Sequence, residues 1–408
     1  VLATLAAIIA FGNFLAWVFG RFGQPAVIGE VVAGIVLGPS LLGAIAPDAM
    51  HYLIPGPASD PNGLVIASLK TIAQLGVVLY MFIVGLELNT HKVGRQAHVA
   101  IAISHASIIF PFVLGAGLAL WLYPVLSVDT VPFTSFALFL GVAMSITAFP
   151  VLARILTDRG LEQTDLGVIA LSCAATDDVT AWCLLAFVVG VAQAEIGGAV
   201  LVAVAAALFI VVMFLVVRPL ATRWIAWAEP RGLDRQATPW LFVALLCSAL
   251  TTEAIGIHAV FGGFLLGAVI PHDSRVAKEL SRKLHDVVTI LLLPAFFAIT
   301  GMNTRIGLIN GLESWLMCGV IILVATLGKF GGTIAAARFT GLDWRTSSAL
   351  GILMNTRGLM ELIVLNIGLS LGVISPKLFA MMVIMAIVTT VATSPILKRL
   401  LPGDRLAA

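Results

Sequence analysis

Residues 166–194 read LGVIALSCAATDDVTAWCLLAFVVGVAQA, an apolar run broken at its middle by two adjacent carboxylates, Asp177 and Asp178. A helix entering a membrane near Asp165 and rising about 1.5 Å per residue carries them about 18 Å deep, near the centre of a hydrocarbon layer about 30 Å thick. Acids at that depth are costly and mark ion or proton paths, unless fixed partners neutralise them. On a helix the two side chains point about 100° apart, so they need not share a partner.

The rest of the chain supplies the membrane. Of 408 residues, 60% are hydrophobic and 11% charged, with a mean hydropathy of +1.08, whereas soluble domains carry about 25% charged residues. This composition predicts an all-α polytopic membrane protein. The net charge of +2 gives no sign of a nucleic-acid partner, because the basic residues fall in short loops rather than on one face, and none is expected. Cys173, Cys183, Cys247 and Cys318 lie in apolar segments without metal-finger spacing and read as isolated thiols. The chain opens on Val1 rather than methionine and runs straight into an apolar stretch, as expected if an upstream piece has been removed.

Windows of about 20 apolar residues predict thirteen spans. They lie near 2–19, 25–46, 64–88, 97–122, 134–157, 166–193, 198–217, 238–252, 255–270, 287–301, 314–337, 346–370 and 377–397. With the N-terminus outside, the expected inner loops and C-terminal tail collect most of the 23 Lys and Arg residues, against Arg305 and Lys377 outside. Lys70, Lys329 and Arg357 fall within spans.

Three short matches recur in the same order. Gly141–Thr147 (GVAMSIT) parallels Gly351–Arg357 (GILMNTR), Phe82–Thr90 parallels Phe297–Thr304, and Gly29-x4-Gly34 with Pro39 parallels Gly262-x4-Gly267 with Pro271. They pair spans 2, 3 and 5 with 9, 10 and 12, which predicts two six-helix halves separated by a seventh helix. That separator crosses the membrane, so the repeat is inverted, a plan shared by many secondary transporters. At matching points of the repeat, Ser145, Thr147 and Pro150 interrupt the fifth span, and Asn355, Thr356, Arg357 and Gly358 interrupt the twelfth. Interrupted helices at membrane depth must line protein or a watery cavity, and they point to a transport site.

Around the acids, Ser145, Thr147, Ser172 and Thr176 offer oxygen atoms suited to a hard ion such as Na⁺ or K⁺. A buried carboxylate holds either a proton or a small cation, so competition for one acid is enough to couple their opposite movements. Lys329 lies nine residues from Arg338 and so about 13 Å deep. It needs a partner there, and Asp177 is the natural one. Arg357, permanently charged, reads as a fixed counter-charge to Glu361 one turn on or to Glu30. Gly328-Lys329 fails as a phosphate loop, because Phe330 stands where Ser or Thr is required.

Together these residues resemble the monovalent cation/proton antiporters, in the branch called family 2. The resemblance rests on Gln24–Glu30 through Gly38–Ser40, Val84–Leu88, Ser145–Pro150, Thr176–Asp178, Gly328-Lys329 and Asn355–Gly358. It implies a homodimer in the inner or plasma membrane, C-terminus cytoplasmic, working by elevator-like alternation with two broken helices crossed at the ion site. Segments 64–193 and 287–370, with 377–397, would form the ion-transport core, and 1–46 and 198–270 the dimerisation scaffold. The resemblance makes Asp178 the carrier of Na⁺ or K⁺ and of protons, and Asp177 the first acid of the electrogenic type. It also makes Lys329 the partner of that first acid and Arg357 the broken-helix arginine. No resident cofactor is implied. Ser145–Leu156 (SITAFPVLARIL) is closer to potassium-associated exchangers than to bacterial sodium antiporters. A gated potassium efflux system is therefore the main alternative, ahead of a sodium-coupled organic anion symporter. Many relatives of this kind carry a cytoplasmic regulatory domain after the last helix, which is expected to be absent or cut away here.

Overall fold

The computed structural model describes residues 1–53, 63–87, 97–128, 131–161, 164–193, 196–228 and 237–401. Lys92, Arg95, Arg231, Arg235 and Arg405 of the expected inner segments, and residues 88–90 of the repeat, lie outside them. The described residues are helical with no strand. Ten helices among them are long and apolar enough to cross a membrane. Trp344–Met354 and Leu359–Ser370 form an apolar pair bent by 43°, long enough together for a broken span, and the apolar helices Phe133–Ser145 and Ala259–Val269 are shorter. The protein is thus an all-helical polytopic membrane protein.

The chain packs as two compact units. One comprises Val1–Ala10, Asp48–Thr90 and Val189–Ile299; the other comprises Phe11–Pro47, His91–Val188 and Thr300–Ala408. They cut the chain at other points than the core and scaffold segments expected above.

In the first unit, the helices Leu64–Glu87 and Ala259–Val269 touch backbone to backbone. A Cβ at Gly267 would fall on the carbonyl oxygen of Phe82, and one at Gly85 on that of Phe264. Between apolar helices in lipid, such close approach supplies the dispersion contact that a hydrophobic driving force cannot. Gly267→Ala is expected to cost about 1–3 kcal/mol through overpacking, read as a lower melting temperature of the purified protein. The segment expected as a loop before span 10 is instead the helix Arg275–Asp286, capped by Ser274 Oγ accepting from the Ala277 amide at 3.1 Å. It buries Val276, Ala277 and Leu280 on one face and runs through a π-helical stretch, Val287–Leu292, into Leu293–Asn303.

The second unit is assembled around Ala97–Leu126, Phe133–Ser145, Asp165–Gln193, Gly311–Phe339 and the bent pair. Gly328 and Gly332 let the Gly311–Phe339 helix lie against Ala97–Leu126. A Cβ at Gly328 would meet Pro111 at 2.7 Å, and one at Gly332 would meet the Ala106 carbonyl at 2.8 Å. This approach positions Lys329, which lies between them in sequence, beside the serines of the facing helix.

The breaks after Phe133–Ser145 and after Trp344–Met354 have local causes. Pro150 has no amide proton, and its ring would collide with the carbonyl of Ile146 in a continuous helix. The chain leaves the helix at Ile146, where φ is −73° and ψ 138°, and restarts at Phe149. The second break runs from Asn355 to Gly358, whose missing Cβ leaves room for Val151 and Ala148 of the first break.

Candidate ion site

Each break exposes backbone groups that must find partners at membrane depth. The two breaks first satisfy each other: the Ala148 amide donates to the Thr356 carbonyl at 2.9 Å, and Thr147 Oγ1 lies 3.0 Å from the Met354 carbonyl. Cations close the end of the Phe133–Ser145 helix. Arg357 Nη1 donates to the Ala143 carbonyl at 3.0 Å and its Nη2 to that of Met144 at 2.7 Å, while Lys329 Nζ donates to that of Ser145. Positive charge is favourable at a helix C-terminus, where the dipole leaves partial negative charge on unpaired carbonyls. Thr390 of the last helix completes the second break, its hydroxyl accepting from the Arg357 amide at 2.9 Å and donating to the Arg357 carbonyl at 2.6 Å.

Between these partners sit the two acids of the Asp165–Gln193 helix, both buried. Asp177 is saturated. Its Oδ1 accepts from Ser104 at 2.5 Å, and its Oδ2 lies 2.9 Å from Ser107 Oγ, 2.8 Å from Thr147 Oγ1 and 2.9 Å from Lys329 Nζ. Asp177 and Lys329 form an ion pair without solvent exposure. Asp178 differs: it is 1% exposed, and its Oδ1 has no hydrogen-bond partner among the described residues. Two neighbouring carboxylates on one helix therefore occupy opposite situations, one consumed by the protein's own hydrogen bonds and one with oxygen left over.

The other residues singled out from the sequence divide. Arg357 pairs with Glu361, Nη1 to Oε2 at 2.8 Å, both side chains fully buried. Glu30, half-buried on Ala26–Leu37, forms no ion pair among the described residues. Ser145 contributes its carbonyl to Lys329, while its hydroxyl lies 3.0 Å from the Ile108 carbonyl and 2.7 Å from that of Gly141. Thr176 Oγ1 donates to the Ser172 carbonyl within its own helix at 2.9 Å, and neither residue hydrogen-bonds an acid among the described contacts. Of the four oxygen-bearing residues expected around the pair, only Thr147 reaches an acid with its side chain.

Sequence reasoning missed Ser104, Ser107 and Thr390. The first two carried a signal, since small hydroxyl residues three apart share one face of an apolar helix. Thr390 carried none.

These features define a polytopic helical membrane protein with a buried charged site at the crossing of two interrupted helices. A family model described as "Sodium/hydrogen exchanger, transmembrane" matches residues 5–401, and the chain belongs to that family. The Na(+)/H(+) antiporter NhaS4 of Synechocystis is 42% identical over 99% of this chain and 97% of its own length. Cation/H(+) antiporter 20 of Arabidopsis thaliana is 39% identical over 96% of this chain and 47% of its own. K(+)/H(+) antiporter 1 of Saccharomyces cerevisiae is 32% identical over 95% and 44%. The chain thus spans about half the length of the plant and yeast relatives and nearly all of the cyanobacterial one. The solved structure of the sodium proton antiporter MjNhaP1 from Methanocaldococcus jannaschii has a TM-score of 0.69 at 14% identity, covering 97% of this chain and 94% of that one, a likeness of fold.

Proposed function

We propose that the protein exchanges a monovalent cation, Na⁺ or K⁺, for protons across the membrane, with Asp178 as the shared carrier. The observation that supports this most is the contrast between the acids. Asp177 already has Ser104, Ser107, Thr147 and Lys329 as partners, whereas Asp178 Oδ1 has none among the described residues. A buried carboxylate without a partner is unstable as a bare anion and is relieved by a proton or by a desolvated cation. Only one fits at a time, so loading one expels the other. The names of the relatives, Na⁺/H⁺, K⁺/H⁺ and cation/H⁺ antiporters, support the same class of exchange.

The cations are cargo, and no resident cofactor is needed. Asp177 and Lys329 make the exchange electrogenic: a cation entering beside Asp178 loosens the pair, and Lys329 yields its proton. Arg357 and Glu361 hold the crossing in shape, with Arg357 capping the broken helix. The working unit is a homodimer in the inner or plasma membrane, N-terminus outside and C-terminus cytoplasmic, moving its ion-binding core by an elevator-like alternation.

The test uses purified protein in proton-loaded vesicles carrying an internal pH dye. Adding Na⁺, Li⁺, K⁺ or Rb⁺ outside is expected to alkalinise the lumen with at least one of them. Cation entry without lumen alkalinisation, as a channel or symporter would give, rejects the assignment.

A further inference from the structure

The first unit holds a cavity of about 470 Å³ whose lining includes Leu86, His272, Lys278, Ser281, Arg282, His285 and Asp286. Positions 278, 281, 282 and 285 follow the helical repeat, so Arg275–Asp286 presents a polar stripe to the cavity, with the buried Ala277 beside it, while Val276 and Leu280 are buried away from the lining.

The charges on this helix are not equivalent. Lys283 is paired with Glu279 at 2.7 Å. Lys278 and Arg282, which line the cavity, form no ion pair among the described residues, although Asp286 stands four residues from Arg282. Two cations with the His285 imidazole, beside His272, which lies 2.9 Å from Asp273, and the Asp286 carboxylate around a concave space suit a phosphate-bearing anion. The cavity is roomier than a single phosphate needs, since one water already occupies about 30 Å³ of liquid and a phosphate is a few times larger.

The apolar segment beyond the stripe identifies the source of that phosphate. Immediately after Asp286 the chain turns apolar, with Val287 50%, Ile290 53% and Leu291 44% exposed at the start of a membrane-spanning stretch. A basic cavity on a helix that runs straight into a membrane-spanning stretch is the arrangement of a membrane interface, polar at the headgroups and apolar at the chains. We propose that this cavity is a headgroup site for an anionic phospholipid, its phosphate held by Lys278 and Arg282 and its acyl chains lying in the apolar layer that begins beyond Asp286.

The experiment measures lipid retention by native mass spectrometry and melting temperature for the full chain in nanodiscs of phosphatidylglycerol or phosphatidylcholine. The wild type is expected to retain phosphatidylglycerol and to melt higher in it. Lys278→Gln with Arg282→Gln is expected to lower that retention about 25-fold, and each single variant about five-fold. Lys283→Gln, off the cavity, keeps wild-type retention. Equal retention by the double variant and the wild type overturns the proposal. If the double variant fails to fold, the single variants decide by the same criterion. Inorganic phosphate and glycerol 3-phosphate, added to phosphatidylcholine nanodiscs, are expected to leave the melting temperature unchanged. A rise with either that the double variant lacks overturns the lipid in favour of a soluble anion.

Discussion

Asp178→Asn is expected to abolish cation-driven lumen alkalinisation while the protein remains folded and melts no lower than the wild type. The substitution keeps the shape of the side chain and removes its ability to bear a negative charge or to exchange a proton. Because Asp178 Oδ1 enters no hydrogen bond among the described residues, replacing it breaks nothing in the frame that holds the crossing. Removing a buried, unpaired charge also relieves a desolvation cost. The two readouts thus part: vesicle exchange falls to the background of empty liposomes, and the melting curve stays or rises. Normal turnover in this variant would remove Asp178 from the carrier role. Lost activity together with a collapsed melting temperature would make Asp178 a structural residue.

The second large effect concerns Lys329. Its ammonium joins Asp177 at 2.9 Å, both fully buried, and closes the carbonyl of Ser145 at the broken helix. Lys329→Gln leaves Asp177 as an uncompensated buried acid and removes a charged cap, and losing one partner of a buried pair costs about 3–5 kcal/mol. The variant is expected to melt well below the wild type, and any exchange it retains is expected to lose its dependence on membrane voltage. Adding Asp177→Asn should recover part of the lost stability, because neither charge is then left unpaired. A double variant no more stable than the single one would show that the capping of Ser145, and not the ion pair, sets the cost. An unchanged voltage response in Lys329→Gln would take Lys329 out of the proton count.

Much of this site is legible in the sequence, for identifiable reasons. The depth of Asp177 and Asp178 comes from helical rise along an apolar run, and the break before Pro150 comes from a missing amide proton and a ring clash. The Arg357–Glu361 pair reflects a four-residue spacing that joins the break to the first turn of the helix after it. Lys329 needs an acid because an ammonium in hydrocarbon needs one, and with Glu361 matched to Arg357 the Asp177–Asp178 pair supplies it. The expected oxygen donors fare differently. Thr147 reaches Asp177, while the hydroxyls of Ser145 and Thr176 turn to carbonyls near them in their own helices. In an apolar surrounding, a carbonyl one turn back is a partner always within reach, and the chain gives no sign of whether something better lies across the interface.

The amino-acid sequence by itself determined that the chain spans a membrane, where its helices are interrupted and which charges are stranded at depth, because each depends on residues close together along the chain. Only the tertiary structure decided how those charges are shared out. Ser104 and Ser107 saturate Asp177 from a helix about 70 residues away. Arg357 caps carbonyls 213 and 214 residues away, and Thr390 grips the backbone of Arg357 from 33 residues along. Such pairings are set by which helix faces meet and how closely glycines let them approach. They leave Asp177 with every oxygen occupied and Asp178, one residue on, with an oxygen to spare.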